Sequence, residues 1–483
     1  MDRIRLRTTR EARQSLEQMF RSQPVERVSS DDLMSLASER GSTPMQVGAV
    51  LLLDMREGLD PGAVVEALDS RISAVPRLRQ RLVKPPWGCG RPVWVDDQDF
   101  TMTNHLATVR CPDPGGEKAV LAVAAELLST HLPPDRPLWA ATLVTDIGRD
   151  EAALVVVFHH VLADGMGGLA VLGSLVDSAE QAHDSPSTQS PSTQSPSTQS
   201  PSTQGVSTQG VFPRRMPSHR QLAIDAAADR ARSIRALPAQ LRRLRGATSQ
   251  LRPVAGMRPA RSSLNKPTGP LRRFATVRVD LGPLRSAAHT QNATVNDVVL
   301  SSIAAALHRL LAIRGEQVDQ FVISVPFSAR RDASARDLGN QSGVIPLRVC
   351  GVGDPAHRLR SLAESTRAAK REQPAAANAL LGPLFRGLAR VGLYEWFINH
   401  QRLIHTFVSN LRGPQMRLSF LDCPIKGIIP LSMATGNVTV SFAILSYAGS
   451  LVITLIADPL TCPDLSQLQD ALKEELTRTV PGP

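Results

Sequence analysis

Residues 154–165 read Leu-Val-Val-Val-Phe-His-His-Val-Leu-Ala-Asp-Gly, and this stretch decides the fold. Its first five residues are apolar, which predicts a short strand buried on both faces. Because side chains alternate along a strand, His159 and His160 must point to opposite sides, and at most one of them can face a given cavity. The apolar run Leu169–Val176 then predicts a helix packed on the sheet.

The pattern H-H-x-x-x-D-G is formed by His159, His160, Asp164 and Gly165, and it carries groups that can do chemistry. Histidine titrates near neutrality, so it can take a proton from a hydroxyl or a thiol and return it. Asp164 could orient a histidine or pair with a distant arginine to brace the loop, and Gly165 permits a positive φ or a close backbone approach. The alternative is a pair of core or surface histidines at a strand end, but the flanking residues favour a site.

This pattern resembles the signature of the CoA-dependent acyltransferase superfamily, which includes chloramphenicol acetyltransferase, peptide-synthetase condensation domains and the bacterial wax ester synthase/diacylglycerol acyltransferases. Six other segments are similar to the last of these: Pro134–Trp139 (PDRPLW), Leu264–Phe274 (LNKPTGPLRRF), Thr294–Leu300 (TVNDVVL), Val325–Arg330 (VPFSAR), Gly339–Gly343 (GNQSG) and Ser409–Pro414 (SNLRGP). They run in the family's order from about Asp32 onwards, and this colinearity is far more specific than any single motif. One departure is Gln46, which stands where the family has a histidine.

Strand and helix patterns interleave in both halves of the chain, which predicts an α/β (α+β layered) fold class. The predicted strands are Val47–Leu53, Ala275–Val279, Phe321–Val325, Gly343–Val349, Val438–Leu445 and Leu451–Ala457, and the predicted helices include 62–72, 119–128 and 295–311. The resemblance implies two chloramphenicol-acetyltransferase-like domains with the active site in the cleft between them. The expected divisions are an N-terminal extension (1–28), an N-terminal acyltransferase domain (29–183), a repeat and basic linker (184–270) and a C-terminal acyltransferase-like domain (271–483).

The resemblance also implies a reaction. We expect an acyl-CoA-dependent O-acyltransferase that makes triacylglycerol from diacylglycerol and long-chain acyl-CoA, and that can also make wax esters from long-chain alcohols. In the family the second histidine is the general base, which assigns that role to His160, with His159 and Gly165 beside it. Asp164 is carried over as a structural brace paired with an arginine, for which Arg330 is a candidate.

Substrate-binding candidates come from the similar segments and are Asn296, Asp297, Ser328, Arg330 and Asn340. Of these, Asn296, Ser328 and Asn340 are nominees for stabilising a tetrahedral oxyanion, which acyl transfer requires. Asn296 and Asp297 begin a predicted helix, so a helix cap is an equally good interpretation of this pair.

Three other functions stay open. The chain could be a wax ester synthase only, or a condensation-type acyltransferase with a carrier-protein donor, which the motifs after residue 260 disfavour. It could also be a catalytically silent family member that binds lipid droplets or membranes, although the intact His160 and Asp164 argue against silence.

Positive charge is concentrated in one segment. Between Arg214 and Arg273 there are fifteen Arg or Lys residues and two acids, an excess of 13 that is larger than the +11 of the whole chain. Apolar residues recur among these arginines, with Pro238 expected to break or kink the helix. A basic amphipathic helix is typical of membrane-surface contact, although a solvated inter-domain helix fits equally well. Only 4% of residues are aromatic, which disfavours nucleic acid as a partner.

The remaining features set the cellular context. The Ser-Pro-Ser-Thr-Gln repeat of residues 185–204 offers nothing to bury and is expected to be a disordered linker. No metal or cofactor is expected beyond acyl-CoA as co-substrate, and no G-x-S-x-G elbow is present. Five scattered cysteines and the lack of a long apolar run predict a cytoplasmic protein, peripheral on the inner face of the plasma membrane or on lipid droplets.

Overall fold

The computed structural model describes residues 25–29, 32–39, 43–55, 60–177, 212–214, 216–248, 259–328, 342–371, 385, 387–388 and 391–479. The repeat of residues 185–204 and the candidates Arg330 and Asn340 lie outside these ranges, as does most of the expected N-terminal extension.

Helices and strands interleave along the described chain. The helices are α1 (Asp32–Ser38), α2 (Pro61–Ile72), α3 (Gly116–Ser129), α4 (Gly165–Leu175), α5 (His219–Thr248), α6 (Leu281–Thr290), α7 (Val295–Ile313), α8 (Pro355–Arg371), α9 (Tyr394–His400) and α10 (Leu465–Thr479). The strands are β1 (Gln46–Asp54), β2 (Gln80–Val83), β3 (Val93–Asp96), β4 (Leu106–Arg110), β5 (Trp139–Gly148), β6 (Glu151–His159), β7 (Arg273–Asp280), β8 (Gln320–Ser328), β9 (Ser342–Cys350), β10 (Thr406–Arg412), β11 (Ser419–Phe420), β12 (Cys423–Leu431), β13 (Val440–Tyr447) and β14 (Ser450–Ala457). This mixture confirms the predicted layered α/β class.

Two six-stranded sheets carry the fold, with the strand orders β11-β12-β1-β6-β5-β4 and β7-β14-β13-β10-β8-β9. In the first sheet β1 lies at the centre and runs antiparallel to both β6 and β12. In the second, β10 runs parallel to β13 and β8. A separate two-stranded ribbon joins β2 and β3.

The C-terminal half of the chain contributes two strands to the sheet of the N-terminal half. β11 and β12 come from the C-terminal half but complete the sheet of the N-terminal half, where Gly48 pairs with Leu431 and Leu51 with Ile428. Backbone hydrogen bonds therefore cross the expected division between 29–183 and 271–483. The pairing of β12 with β1 places residues of the C-terminal half next to β1 and close to β6.

β6 is buried on both faces, as its continuous apolar run predicts. Leu154, Val156 and Phe158 join the core under α2 and α4. Val155 and Val157 join a second core with residues of β12 and β14, between the two sheets. A slip of one residue would exchange the two faces of this strand, so its register decides which of the two histidines at its end meets which side of the sheet.

The predicted elements are confirmed with small boundary shifts. For example, the predicted strand Val47–Leu53 is observed as Gln46–Asp54 and the predicted helix 295–311 as Val295–Ile313. The prediction that Pro238 breaks the helix was wrong, because α5 continues through this residue to Thr248. Proline removes one backbone donor, and the carbonyl left free four residues earlier belongs to Ile234, which is exposed and can be solvated by water.

α7 is the described helix that is long and apolar enough to cross a membrane. However, 72% of its apolar window is buried inside the protein. Its residues pack with α10 and the second sheet in the C-terminal core, which accounts for its apolar composition.

Candidate active site

The end of β6 is held in place by backbone hydrogen bonds. The His160 N–H donates to the Met45 carbonyl (2.8 Å), and the His159 N–H donates to the Leu138 carbonyl (2.9 Å). A tight turn follows, in which the Leu162 N–H donates to the His159 carbonyl (2.9 Å). Both histidines are thereby fixed on a rigid strand end, which limits the positions that their rings can take.

Asp164 begins the helix that follows. It is 1% exposed, and its carboxylate accepts the backbone N–H of Gly167 (2.9 Å) as the cap of α4. An acceptor at this place satisfies a backbone donor that the first helical turn leaves free. The aspartate thus holds the turn between the histidine strand and the helix, while Arg330, its suggested partner, lies outside the described residues.

The glycines of this segment permit close packing. A Cβ added to Gly168 would lie 2.3 Å from Cζ of Phe158, so α4 can approach β6 this closely only with glycine there. A Cβ on Gly165 would lie 3.2 Å from the methyl groups of Leu411 on β10. Gly165 is absent from the residues with positive φ, so of its two predicted roles the structure supports the close approach.

His160 lines a cavity of about 90 Å³ between the two halves of the protein. Residues of β1, α4 and the end of β6 line it from the N-terminal half, and residues of β10, β12 and β13 line it from the C-terminal half. The lining is apolar except for three side chains, which are His160, Ser409 and Ser432. An apolar cavity with a few polar groups is typical of a site that orients a bound group.

The imidazole of His160 is poised as a neutral base. Its Nδ1 is buried and has no hydrogen-bond partner among the described residues. Burial lowers the pKa of His160 below its ordinary value, because the protonated ring loses solvation in the cavity. The ring is therefore uncharged at neutral pH and can accept a proton.

His159 points to the other side of the strand, as the alternation predicts. Its Nδ1 accepts the backbone N–H of Val161 (2.9 Å), so the proton of the neutral ring sits on Nε2. Nε2 lies 2.8 Å from a carboxylate oxygen of Glu39. The sequence grouped His159 with the catalytic residues, but the structure places it 2% exposed, outside the cavity lining and engaged at both nitrogens.

The predicted substrate-binding residues are not gathered in the cavity. Asn296 accepts a hydrogen bond at its Oδ1 from Nδ2 of Asn410 (2.9 Å), next to Ser409 on β10. Asp297 forms a capping box with Thr294 at the start of α7. The capping interpretation thus describes Asp297, while Asn296 contacts a strand that lines the cavity.

The other candidates are less informative. Ser328 is the last residue of β8 and pairs in register with Ser342 of β9. Arg330 and Asn340 stay predictions, since both lie outside the described ranges. The departure at Gln46 leaves the cavity intact, because this side chain is outside its lining and donates to the Thr130 carbonyl (2.5 Å).

Two cavity residues escaped the sequence reasoning. Ser409 belongs to the segment Ser409–Pro414, which the family pattern flagged without giving its serine a role. Ser432 follows β12, and no sequence motif marks it. It reaches the cavity because β12 joins the sheet of the N-terminal half. No group of three or more potential metal ligands occurs within the described ranges.

Two models of known protein families match most of this chain. The model of the wax ester synthase/diacylglycerol acyltransferase catalytic domain matches residues 28–299, and that of the WS/DGAT C-terminal domain matches residues 338–479. A putative diacylglycerol O-acyltransferase of Mycobacterium tuberculosis is 29% identical over 465 residues, which cover 94% of this chain and 89% of the relative. A probable diacylglycerol O-acyltransferase of the same organism is 28% identical over 457 residues, with 90% and 91% covered.

Solved structures share the fold. The wax ester synthase/diacylglycerol acyltransferase from Marinobacter aquaeolei VT8 is 22% identical with a TM-score of 0.66, and the match covers 94% of this chain and 98% of that one. A starter condensation domain of rhizomide synthetase, in complex with C8-CoA and Leu-SNAC, is 16% identical with a TM-score of 0.59 and coverages of 94% and 93%. These likenesses confirm the predicted two-domain acyltransferase fold.

Proposed function

Since the chain belongs to the wax ester synthase/diacylglycerol acyltransferase family of acyltransferases, we propose that it makes triacylglycerol by moving a long-chain acyl group from CoA to diacylglycerol. The names of its mycobacterial relatives support diacylglycerol as the acceptor. The C8-CoA in a structural neighbour supports acyl-CoA as the donor.

One observation carries this proposal. His160 places a neutral imidazole, whose buried Nδ1 has no hydrogen-bond partner among the described residues, in an apolar cavity between the two halves. A hydroxyl is a poor nucleophile until a base removes its proton, and a base held ready in such a place typically accelerates a reaction by ~10²–10⁴. The arrangement fits acyl transfer to an alcohol.

The reaction proceeds by direct attack. Because Nδ1 is buried, Nε2 of His160 is the nitrogen that takes the acceptor's hydroxyl proton, as the oxygen attacks the thioester carbonyl of acyl-CoA. The tetrahedral intermediate then collapses, the C–S bond breaks, and the imidazolium returns the proton to the departing sulfur. The products are the ester and free CoA, and the histidine ends neutral, ready for the next cycle.

The negative charge on the intermediate needs a donor. Ser409 and Ser432 carry the hydroxyl groups of the cavity lining, so either can direct its O–H at the oxyanion. Asn296 contributes indirectly, because its contact with Asn410 holds the strand that carries Ser409. In this scheme Asp164 caps α4 and keeps the histidine turn in place.

The cavity admits only the reacting groups. At about 90 Å³ it is far too small to hold a complete acyl-CoA together with a diacylglycerol. The acyl chain, the CoA body and most of the acceptor must therefore extend away from His160. A long-chain alcohol presents the same hydroxyl to this space as diacylglycerol does, so wax ester synthesis would use the same residues.

A direct assay tests the proposal. Purified protein is given radiolabelled palmitoyl-CoA with either a diacylglycerol or hexadecanol, and the lipids are separated. We expect triacylglycerol with the first acceptor. Hexadecyl ester alone would show that the protein is a wax ester synthase only, and no ester with either acceptor would leave a lipid-binding protein without catalysis.

A further inference from the structure

Trp87 is fully exposed, at 102% of its reference area. It lies in the turn between β2 and β3, where the Cys89 N–H donates to the Pro86 carbonyl (3.0 Å) and Gly88 takes a φ of 85°. These features close a tight turn and hold Trp87 at its tip. A whole indole in water is unfavourable in proportion to its apolar area, and it marks an interaction surface where other exposed apolar side chains lie beside it.

The first half of α5 packs beside this turn. Leu222 is fully buried in a small cluster with residues of β3. The Arg230 guanidinium donates to the Gly88 carbonyl (2.7 Å), directly next to Trp87. The tryptophan and the basic helix therefore belong to one continuous surface.

Both acids of α5 are engaged with the protein body. Asp225 pairs with Arg27 (2.5 Å), and Asp229 pairs with Arg91 (3.0 Å). Their negative charges are thus used on the inner side of the helix. The outer side keeps an uncompensated positive charge.

That outer side combines cations with aliphatic residues. Ile224 and Ile234 are 61% and 65% exposed. Arg220, Arg230 and Arg235 are also exposed, and none of the three forms an ion pair with a described residue. Exposed isoleucines among free arginines match an interface with headgroups outside and acyl chains beneath.

We propose that this surface docks the protein on a lipid bilayer with anionic headgroups. The docking face consists of Trp87, Ile224, Ile234, Arg220, Arg230 and Arg235. The indole and the isoleucines enter the boundary between headgroups and acyl chains, where tryptophan is enriched, while the arginines contact phosphate groups. None of these six residues lines the cavity of His160, so docking uses different residues from the acyl-transfer chemistry.

The composition of the docking face favours this partner over others. A second copy of the chain would bring the same free arginines against each other, which is repulsive. A nucleic acid would attract the arginines and could stack one base on Trp87, but the two isoleucines provide no further stacking surface. An anionic bilayer satisfies both the positive charge and the apolar side chains.

Vesicle binding tests the docking face. Full-length protein is co-sedimented with phosphatidylglycerol vesicles and with phosphatidylcholine vesicles. We expect tight binding to the first only. Replacing Arg220, Arg230 and Arg235 together by Gln should weaken it roughly 100-fold, at about 1 kcal/mol per arginine. Replacing all three by Lys keeps the charge and should keep most of the binding.

A matched pair of tryptophans tests the apolar part. Trp396 is also exposed, at 63%, but lies on α9 outside the docking face. Trp87→Ala should weaken binding roughly tenfold, and Trp396→Ala should leave it unchanged. Circular dichroism checks that each variant is folded.

The contrary results are equally specific. Equal binding to both kinds of vesicle, or equal losses for the two tryptophan variants, would overturn the proposal. Self-association that Trp87→Ala abolishes, without vesicle binding, would assign the face to a second copy. Tight binding to a DNA oligonucleotide with none to phosphatidylglycerol would assign it to a nucleic acid. None of these results depends on whether acyl transfer is observed.

Discussion

The two faces at the end of β6 hold the same residue type in opposite surroundings. On one face, His159 is engaged at both nitrogens, with Val161 and Glu39. On the other, His160 borders a cavity and its buried Nδ1 has no partner among the described residues. A histidine with both nitrogens engaged stabilises a turn, whereas one whose ring borders a cavity can meet a substrate there and exchange protons with it. The environment, more than the residue, separates structure from chemistry here.

Replacing His160, the histidine that borders the cavity, should have the largest effect on activity. His160→Ala should lower kcat by ~10²–10⁴ because the acceptor hydroxyl loses its base. The melting temperature should change little, since the buried Nδ1 has no hydrogen-bond partner among the described residues to lose. Steady-state assays with palmitoyl-CoA and diacylglycerol measure the effect. Ester formation within threefold of the wild type would show that His160 is not the base.

Removing the other histidine should act mainly on stability. His159→Ala leaves the Val161 N–H and the Glu39 carboxylate without their partner, and a buried unsatisfied group costs about 1–3 kcal/mol. We expect a lower melting temperature and a smaller loss of kcat than for His160→Ala. Thermal unfolding and kcat are measured on the same preparations. A full loss of kcat at an unchanged melting temperature would mean that His159, and not His160, is the base.

The helix behind the cavity offers a matched pair of glycines. Gly168→Ala would place a Cβ 2.3 Å from the Phe158 ring, and such overpacking typically costs about 1–3 kcal/mol. Gly173 lies on the same helix, and a Cβ there meets nothing within 4 Å, so Gly173→Ala should be neutral or stabilising by up to about 1 kcal/mol. Urea unfolding compares the two. Similar stabilities would mean that α4 does not pack against Phe158 as closely as described.

Sequence reasoning predicted what depends on local pattern. Alternation along β6 is enough to separate His159 from His160, and a continuous apolar run is enough to bury that strand on both faces. The general-base role came from the family pattern, because alternation alone leaves either histidine possible. No local pattern could have predicted the rest of the site. Ser432 reaches the cavity through the pairing of β12 with β1, which joins residues almost 400 positions apart.

The same limit applies to the face of β6 that carries His159. Glu39 meets His159 only because α1 docks beside the strand end, 120 residues away in the chain. Short amphipathic segments such as α1 contain no information about where they dock. Likewise, from sequence alone Asn296 and Asp297 have equal standing as site residues or helix caps. The structure separates them through two contacts, the capping box of Asp297 and the Asn296–Asn410 hydrogen bond.

The smallest expected effect is on pH dependence, and it sharpens the contrast between the faces. Burial lowers the pKa of His160, so kcat/KM should fall on the acid side with a midpoint below about 6.5, the ordinary value for histidine. The free energy of unfolding should also fall as the pH falls. Because the unfolded chain binds this proton at a higher pH than the folded one, the contribution of His160 is fully present above about pH 6.5 and is lost as pH falls through the lowered pKa.

Both consequences can be measured against one variant. In His160→Gln the acid limb of residual kcat/KM should disappear, and the melting temperature should fall less between pH 7 and pH 5 than in the wild type. An acid limb that persists unchanged in this variant would assign the titration to another group. A midpoint above 6.5 in the wild type would mean that a negative charge, and not burial, controls the imidazole in the cavity.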